Sequence, residues 1–180
     1  MIDPNHMNVK QVFAIDHELC AGPQGMAIGP NPQILLGCTG TGPVPYNIST
    51  GSVVISAING STIFDLPGLN GVDEVWYNAT DNSYFLAANN NTNAFGQLAP
   101  IIGVVDAGTS DQILGQEDQS VATANPSAVP VNTSAHSIAV DPSANIVYVM
   151  SAGVGLCALS CLAFFQPVGT DDPPAVVGKK

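Results

Sequence analysis

The sequence is poor in positive charge. It has three lysine or arginine residues against fourteen aspartate or glutamate residues, and its net charge is −11. Nucleic-acid binding needs cationic side chains that displace the counterions of the phosphates, and an anionic membrane surface repels a chain of this charge. We therefore expect neither nucleic acid nor membrane as a partner.

Charged residues of both signs make up only 9% of the chain, whereas hydrophobic residues make up 46%. A typical soluble domain is roughly 25% charged. A chain this apolar is expected to bury much of its surface in a core or in an interface.

Helical periodicity and specific catalytic motifs are also missing. No stretch has the spacing of an amphipathic helix. Ser137 lacks the G-x-S-x-G context of a nucleophile elbow, and neither a Walker A motif nor a dinucleotide fingerprint is present. The sequence thus excludes these nucleophile and nucleotide sites and favours an all-β fold.

The N-terminus shows no basic region followed by an apolar run, so no signal peptide is recognised. Residues 1–7 resemble a remnant of cloning, and we expect the fold to begin at Asn8, with any export signal already removed. Residues 146–165 carry no charge and are long enough to cross a bilayer. They contain serine and glycine and have no flanking lysine or arginine, so we predict buried strands there.

A repeated hairpin pattern organises the chain. In residues 134–152, two apolar runs flank the turn Asp141–Asn145, which is the composition of a β-hairpin. Residues 26–36 and 75–86 align with this unit without a gap, and outer units at 44–58 and 101–114 follow those two copies. Four-stranded units that recur along a chain in this way are typical of a β-propeller. We predict an all-β chain with about three four-stranded antiparallel blades in residues 8–167 and a loose tail at 168–180.

Three blades are fewer than the four to eight that typically close a propeller. Val9–Ile15 is predicted to be a strand outside the three units, and it would complete the third blade of its own chain or of a partner. We therefore expect a homodimer that forms a six-bladed ring with two-fold symmetry. The alternative is that this chain is one half of a longer propeller whose other half is missing.

The cysteines and sequons indicate an extracellular glycoprotein. The four cysteines allow three pairings, and proximity favours Cys20–Cys38 and Cys157–Cys161 over a zinc site. The five N-x-[ST] sequons all fall in predicted turns or loops. The alternative is an asparagine-rich polar surface without glycans. The sequons are at Asn47, Asn59, Asn78, Asn90 and Asn132.

The third hairpin also carries a family resemblance. HSIAVDPSANIVYV (136–149) is similar to the blade core of YVTN-type and SMP-30/gluconolactonase-like β-propellers. GVDEVWYNATDNSYFLAA (71–88) and VVDAGT (104–109) look like the preceding blade of secreted members of that group. The resemblance covers about residues 22–167, and it implies a propeller fold more specifically than any activity.

The candidate site lies where the predicted inner strands begin. Asp73, Glu74 and His136 occupy equivalent positions there and are expected to converge at one mouth of a central channel. Two carboxylates and an imidazole could bind a divalent cation such as Ca²⁺ or Mg²⁺, and Glu74 with His136 could serve as acid and base. The alternative is that His136 and Asp73 bond the backbone or neighbouring blades. Trp76 and Tyr77 are expected to pack between blades.

Two functions remain open from the sequence. The leading hypothesis is a secreted, non-catalytic propeller that acts as a binding or interaction scaffold. The alternative is a metal-dependent lactonase- or esterase-like hydrolase, in which the metal would polarise a carbonyl and activate water at the channel mouth.

Overall fold

The computed structural model describes residues 2–3, 8–39, 51–92, 97–108, 135–151 and 161–166. These residues form twelve strands and no helix, so the predicted all-β class is confirmed. Nothing in the described segments forms a helix with the length and hydrophobicity that a membrane crossing needs. The charge-free stretch 146–165 contains two of the strands.

The strands form three antiparallel sheets and one small ribbon. The ribbon pairs β1 (Ile2–Asp3) with β2 (Asn8–Val9). The first sheet contains β3 (Pro23–Ile28), β4 (Gln33–Cys38), β5 (Ser52–Ser56) and β6 (Thr62–Leu66). The second contains β7 (Glu74–Asn78), β8 (Ser83–Ala88) and β9 (Ile101–Asp106). The third contains β10 (Ile138–Asp141), β11 (Ile146–Ser151) and β12 (Cys161–Phe165).

Strands follow one another in chain order within every sheet, and no sheet closes on itself. The described part therefore has one four-stranded and two three-stranded sheets. The predicted strand segments at 44–48 and 112–114 lie outside the described residues. In the first sheet the fourth strand is β6, which follows the turn at Asn59-Gly60, where Gly60 has a φ of 76°.

The three predicted hairpins are β3–β4, β7–β8 and β10–β11, and their turns contain Asn31, Asn82 and Asn145 at positive φ. Asparagine tolerates this left-handed backbone better than most residues. The predicted gap-free alignment is wrong by one position. Ala27 pairs with Leu35, whereas Trp76 pairs with Phe85 and Ala139 with Tyr148. The first hairpin is therefore one residue shorter between the paired positions.

The predicted strand Val9–Ile15 is a second correction. Only Asn8–Val9 forms a strand, and it pairs with β1 and not with the third sheet. The following segment contributes Ile15, Leu19 and Cys20 to a cluster on one face of the first sheet. Val12 is 80% exposed, and among the described residues this segment adds no strand to a sheet.

The core consists of stacked sheet faces. In each sheet, the front face is the one that faces the preceding sheet or, in the first sheet, the N-terminal segment. The back face is the opposite one. Leu35 on the back of the first sheet and Tyr84 on the front of the second belong to one buried cluster. Phe85 on the back of the second sheet and Val147 on the front of the third belong to another. Because successive strand residues alternate between faces, β8 contributes side chains to both clusters.

Polar contacts join the sheets at the hairpin turns. The buried Gln33 donates from Nε2 to the carbonyl of Ala107 at 2.9 Å, linking the first sheet to the second. Asn78 donates from Nδ2 to Oδ1 of Asn145 at 2.6 Å, linking the second to the third. Buried polar groups that find such partners avoid the cost of desolvation without a hydrogen bond.

The disulfide predicted between Cys20 and Cys38 is present, with 5.4 Å between the two Cα atoms. It ties the N-terminal segment to the end of β4. The predicted pairing Cys157–Cys161 lies outside the described residues, because residue 157 does.

We predict that the double variant Cys20→Ser/Cys38→Ser loses about 2–4 kcal/mol of unfolding free energy, because the cross-link restricts the unfolded chain. Urea denaturation followed by circular dichroism measures the loss. Cys20→Ser alone is expected to match the double variant, since either change removes the link. An unchanged denaturation midpoint would contradict a stabilising role for this disulfide.

Candidate functional site

The first strands of the three sheets lie side by side, because β7 contacts β3 on one side and β10 on the other. Gly25 permits the close approach of β3, since a Cβ at this position would lie 2.7 Å from the Cα of Glu74. The strands line an open groove of about 630 Å³. Its lining residues are Gln24, Gly25, Met26, Ala27, Ile28, Asp73, Glu74, Val75, Trp76, Tyr77, His136 and Ser137.

The structure brings together the three residues predicted for a channel mouth, because Asp73, Glu74 and His136 all line this groove. Glu74 begins the first strand of the second sheet, Asp73 directly precedes it, and His136 lies two residues before the first strand of the third sheet. Their placement at one site follows from the stacking of the sheets. Their catalytic and metal-binding roles stay predictions.

Asp73 and His136 form a pair across the second and third sheets. Oδ2 of Asp73 bonds Nδ1 of His136, and the amide of Asn89 lies against the same ring nitrogen, with 2.8 Å between Nδ2 and Nδ1. Asp73 is held in place by its backbone, whose N–H donates to the carbonyl of Ala87 at 3.0 Å. The side chain of His136 is 60% exposed. The site therefore presents a solvent-accessible imidazole oriented by a carboxylate.

Glu74 has a different partner from Asp73. Its Oε2 accepts a hydrogen bond from the backbone N–H of Ile138 at 2.9 Å, at the start of β10. The carboxylate thus joins the second sheet to the third. Among the described residues, no group of three or more histidine, cysteine, aspartate or glutamate side chains has the geometry to bind a metal ion.

The groove also exposes large apolar side chains. Met26 and Ile28 of β3 are 56% and 66% exposed, and Trp76 of β7 is 41% exposed. Trp76, expected to pack between sheets, is therefore partly available to a ligand. A signal for this was present in the repeat, since the register places Trp76 where the other two hairpins carry Ala27 and Ala139.

Tyr77 behaves as the sequence predicts and packs within the protein. Its ring lies 5.2 Å from that of Tyr84, and its hydroxyl donates to Oδ1 of Asn82 at 2.8 Å. Burial, together with the nearby carboxylates of Asp81 and Asp106, raises the pKa of the Tyr77 hydroxyl. The phenol therefore stays protonated throughout the physiological pH range.

The described sequons differ in accessibility. Asn59 and Asn90 are exposed, so a glycan could be attached there. The side chain of Asn78 is fully buried and bonded to Asn145 of the neighbouring sheet, and its role as a glycan acceptor stays a prediction. Asn47 and Asn132 lie outside the described residues.

Comparison with known proteins bears on the fold alone. No known sequence family matches this chain, and no curated protein matches it. Its fold is similar to a solved structure described as the crystal structure of the eukaryotic initiation factor, with a TM-score of 0.52 and 8% sequence identity. The likeness covers 85% of this chain but only 31% of that one. A similar fold therefore occurs within a longer chain.

We predict that Glu74→Ala lowers the free energy of unfolding by about 1.5–3 kcal/mol, because the N–H of Ile138 loses a charged acceptor. Glu74→Gln retains an acceptor oxygen and is expected to lose less than half as much. Urea denaturation measures both, with Glu18→Ala, at an exposed glutamate, as the control. If the Glu74→Ala variant and the control were equally stable, that result would contradict a structural role for Glu74.

Proposed function

We propose that the protein is a secreted β-propeller-type binding scaffold, in which the three sheets are consecutive blades and a ligand binds in the groove between their first strands. The stacking of the sheets in chain order supports the blade assignment. The sequence resemblance to YVTN-type and SMP-30/gluconolactonase-like propellers supports it as well. The Cys20–Cys38 disulfide is consistent with an oxidising compartment.

One observation carries the proposal. The groove is built from three separate sheets, and it leaves the side chains of Met26, Ile28 and Trp76 partly in water. Concave sites lined by apolar and aromatic side chains with a few polar groups are the usual form of ligand sites. Exposed apolar area of this kind is retained where it contacts a partner.

The charge of the groove defines the class of ligand. Asp73 and Glu74 supply two carboxylates, and no lysine or arginine is among the lining residues. An anionic ligand would be repelled by these groups and by the net charge of −11. A cation could instead lie against the face of Trp76, which attracts positive charge through its quadrupole. The ligand that fits is a small molecule or side chain with an apolar body and a positive charge.

Trp76 provides the test, because it is the only tryptophan in the chain. We predict that benzyltrimethylammonium changes Trp76 fluorescence in a saturable manner, whereas phenylacetate, its anionic counterpart, does not. Ile28→Ala is expected to weaken the binding by about fivefold, which corresponds to about 1 kcal/mol. Ile58→Ala, at an exposed position outside the groove, is the control. Equal responses to the cation and the anion would contradict the proposal.

A second candidate function is a metal-dependent lactonase- or esterase-like hydrolase, and the observation that favours it is the Asp73–His136 pair. A carboxylate-oriented imidazole is a common general base. Calorimetric titration with Ca²⁺, Mg²⁺ and Zn²⁺ separates the two functions. The hydrolase predicts a binding isotherm that disappears in His136→Ala, together with ester hydrolysis that depends on the same metal. If no heat of binding were detected at millimolar metal concentrations, that result would contradict the hydrolase function.

A further inference from the structure

The back face of the third sheet is apolar and exposed. Met150, Leu162 and Phe164 are 52%, 56% and 40% exposed. The register pairs Met150 with Leu162 and Tyr148 with Phe164, so the four side chains share one face. The rings of Tyr148 and Phe164 lie 6.5 Å apart. We call these four residues the terminal patch.

The same face is covered in the other two sheets. Leu35, Phe85 and Tyr148 are equivalent, because each pairs with the corresponding residue of the preceding strand, Ala27, Trp76 or Ala139. Leu35 and Phe85 are buried against the front face of the next sheet. Within the described residues, no fourth sheet covers Tyr148. The terminal patch is therefore equivalent to two sheet faces that are buried against a neighbouring sheet in this chain.

The other end of the stack is partly covered. Ile15, Leu19 and Cys20 pack against the front face of the first sheet, and the disulfide fixes this segment to Cys38. A second copy could not place its terminal patch on that face without displacing the segment. Another terminal patch requires no such displacement, and contact between identical surfaces gives a closed two-fold dimer.

Charge favours the same contact. Two copies that each carry a charge of −11 repel one another over most of their surface. The terminal patch contains no charged residue, and the nearest one in the strand register is Asp141, opposite Ile146 at the turn. Copies that meet at this patch bury apolar surface while they bring few carboxylates together. Added salt screens the remaining repulsion and should strengthen the contact.

We propose that two copies of the chain associate back to back through Tyr148, Met150, Leu162 and Phe164. This dimer differs from a ring completed by the N-terminal strand, since that strand pairs with β1. The contact is independent of the groove, which lies at the first strands of the sheets. Because it involves a single face of a three-stranded sheet, we expect a small interface and an affinity on the order of micromolar.

Sedimentation velocity of the full chain tests the proposal, from low to several hundred micromolar protein, at about 50 mM and about 500 mM NaCl. The expected result is a monomer–dimer equilibrium that shifts toward dimer at the higher salt. Phe164→Asp should raise the dissociation constant at least tenfold. The matched control is Ile58→Asp, which adds the same charge at an exposed apolar residue in the turn between β5 and β6 and should leave the equilibrium unchanged.

Circular dichroism and Trp76 fluorescence establish that each variant is folded, and Met150→Ser tests the patch with a smaller change should Phe164→Asp fail to fold. A monomer under all conditions would overturn the proposal. A dimer that persists in the folded patch variants would also overturn it, as would a dimer that is lost equally in Ile58→Asp. Loss of the dimer in Ile28→Asp, but not in Met150→Ser, would assign the contact to the groove and not to the terminal patch.

Discussion

The described structure depends on one strand, β8, that is buried on both faces. Tyr84 and Leu86 pack against the first sheet, and Phe85 and Ala87 pack against the third. A strand with apolar residues at successive positions can be stable only between two layers, because one face would otherwise be exposed to water. The position of the groove follows from this packing, since stacking the sheets on β8 is what places their first strands next to one another.

Much of this architecture could be predicted from the sequence, since runs such as Ile146–Val149 are apolar at every position, and paired runs around an Asn-containing turn specify hairpins. The shorter first hairpin could not be predicted, because it depends on which backbone groups pair, and residue types do not determine that. The segment after Val9 was also misjudged. Its apolar residues also fit a strand, and only the structure shows that Ile15 packs on a face of the first sheet.

The candidate site, too, could be predicted from the sequence only in part. The repeat placed Asp73, Glu74 and His136 at equivalent positions, and the structure brings them to one groove. The repeat could not show that Glu74 bonds the backbone of the next sheet, because that contact depends on the separation of two strands that are distant in sequence. The exposure of Trp76 was likewise decided by packing. Equivalence in a repeat thus predicts location better than it predicts bonding partners.

The serial arrangement of the sheets also determines how the molecule opens. The second sheet is held from both sides, and the first is held by the second sheet and by the disulfide-linked segment. The third sheet is held on its front face alone among the described contacts. In a stack of this kind, each layer's stability depends mainly on its immediate neighbours. The opening free energy for amide hydrogen exchange should therefore be lower in β11 than in β8, and the end of the stack should open before its centre.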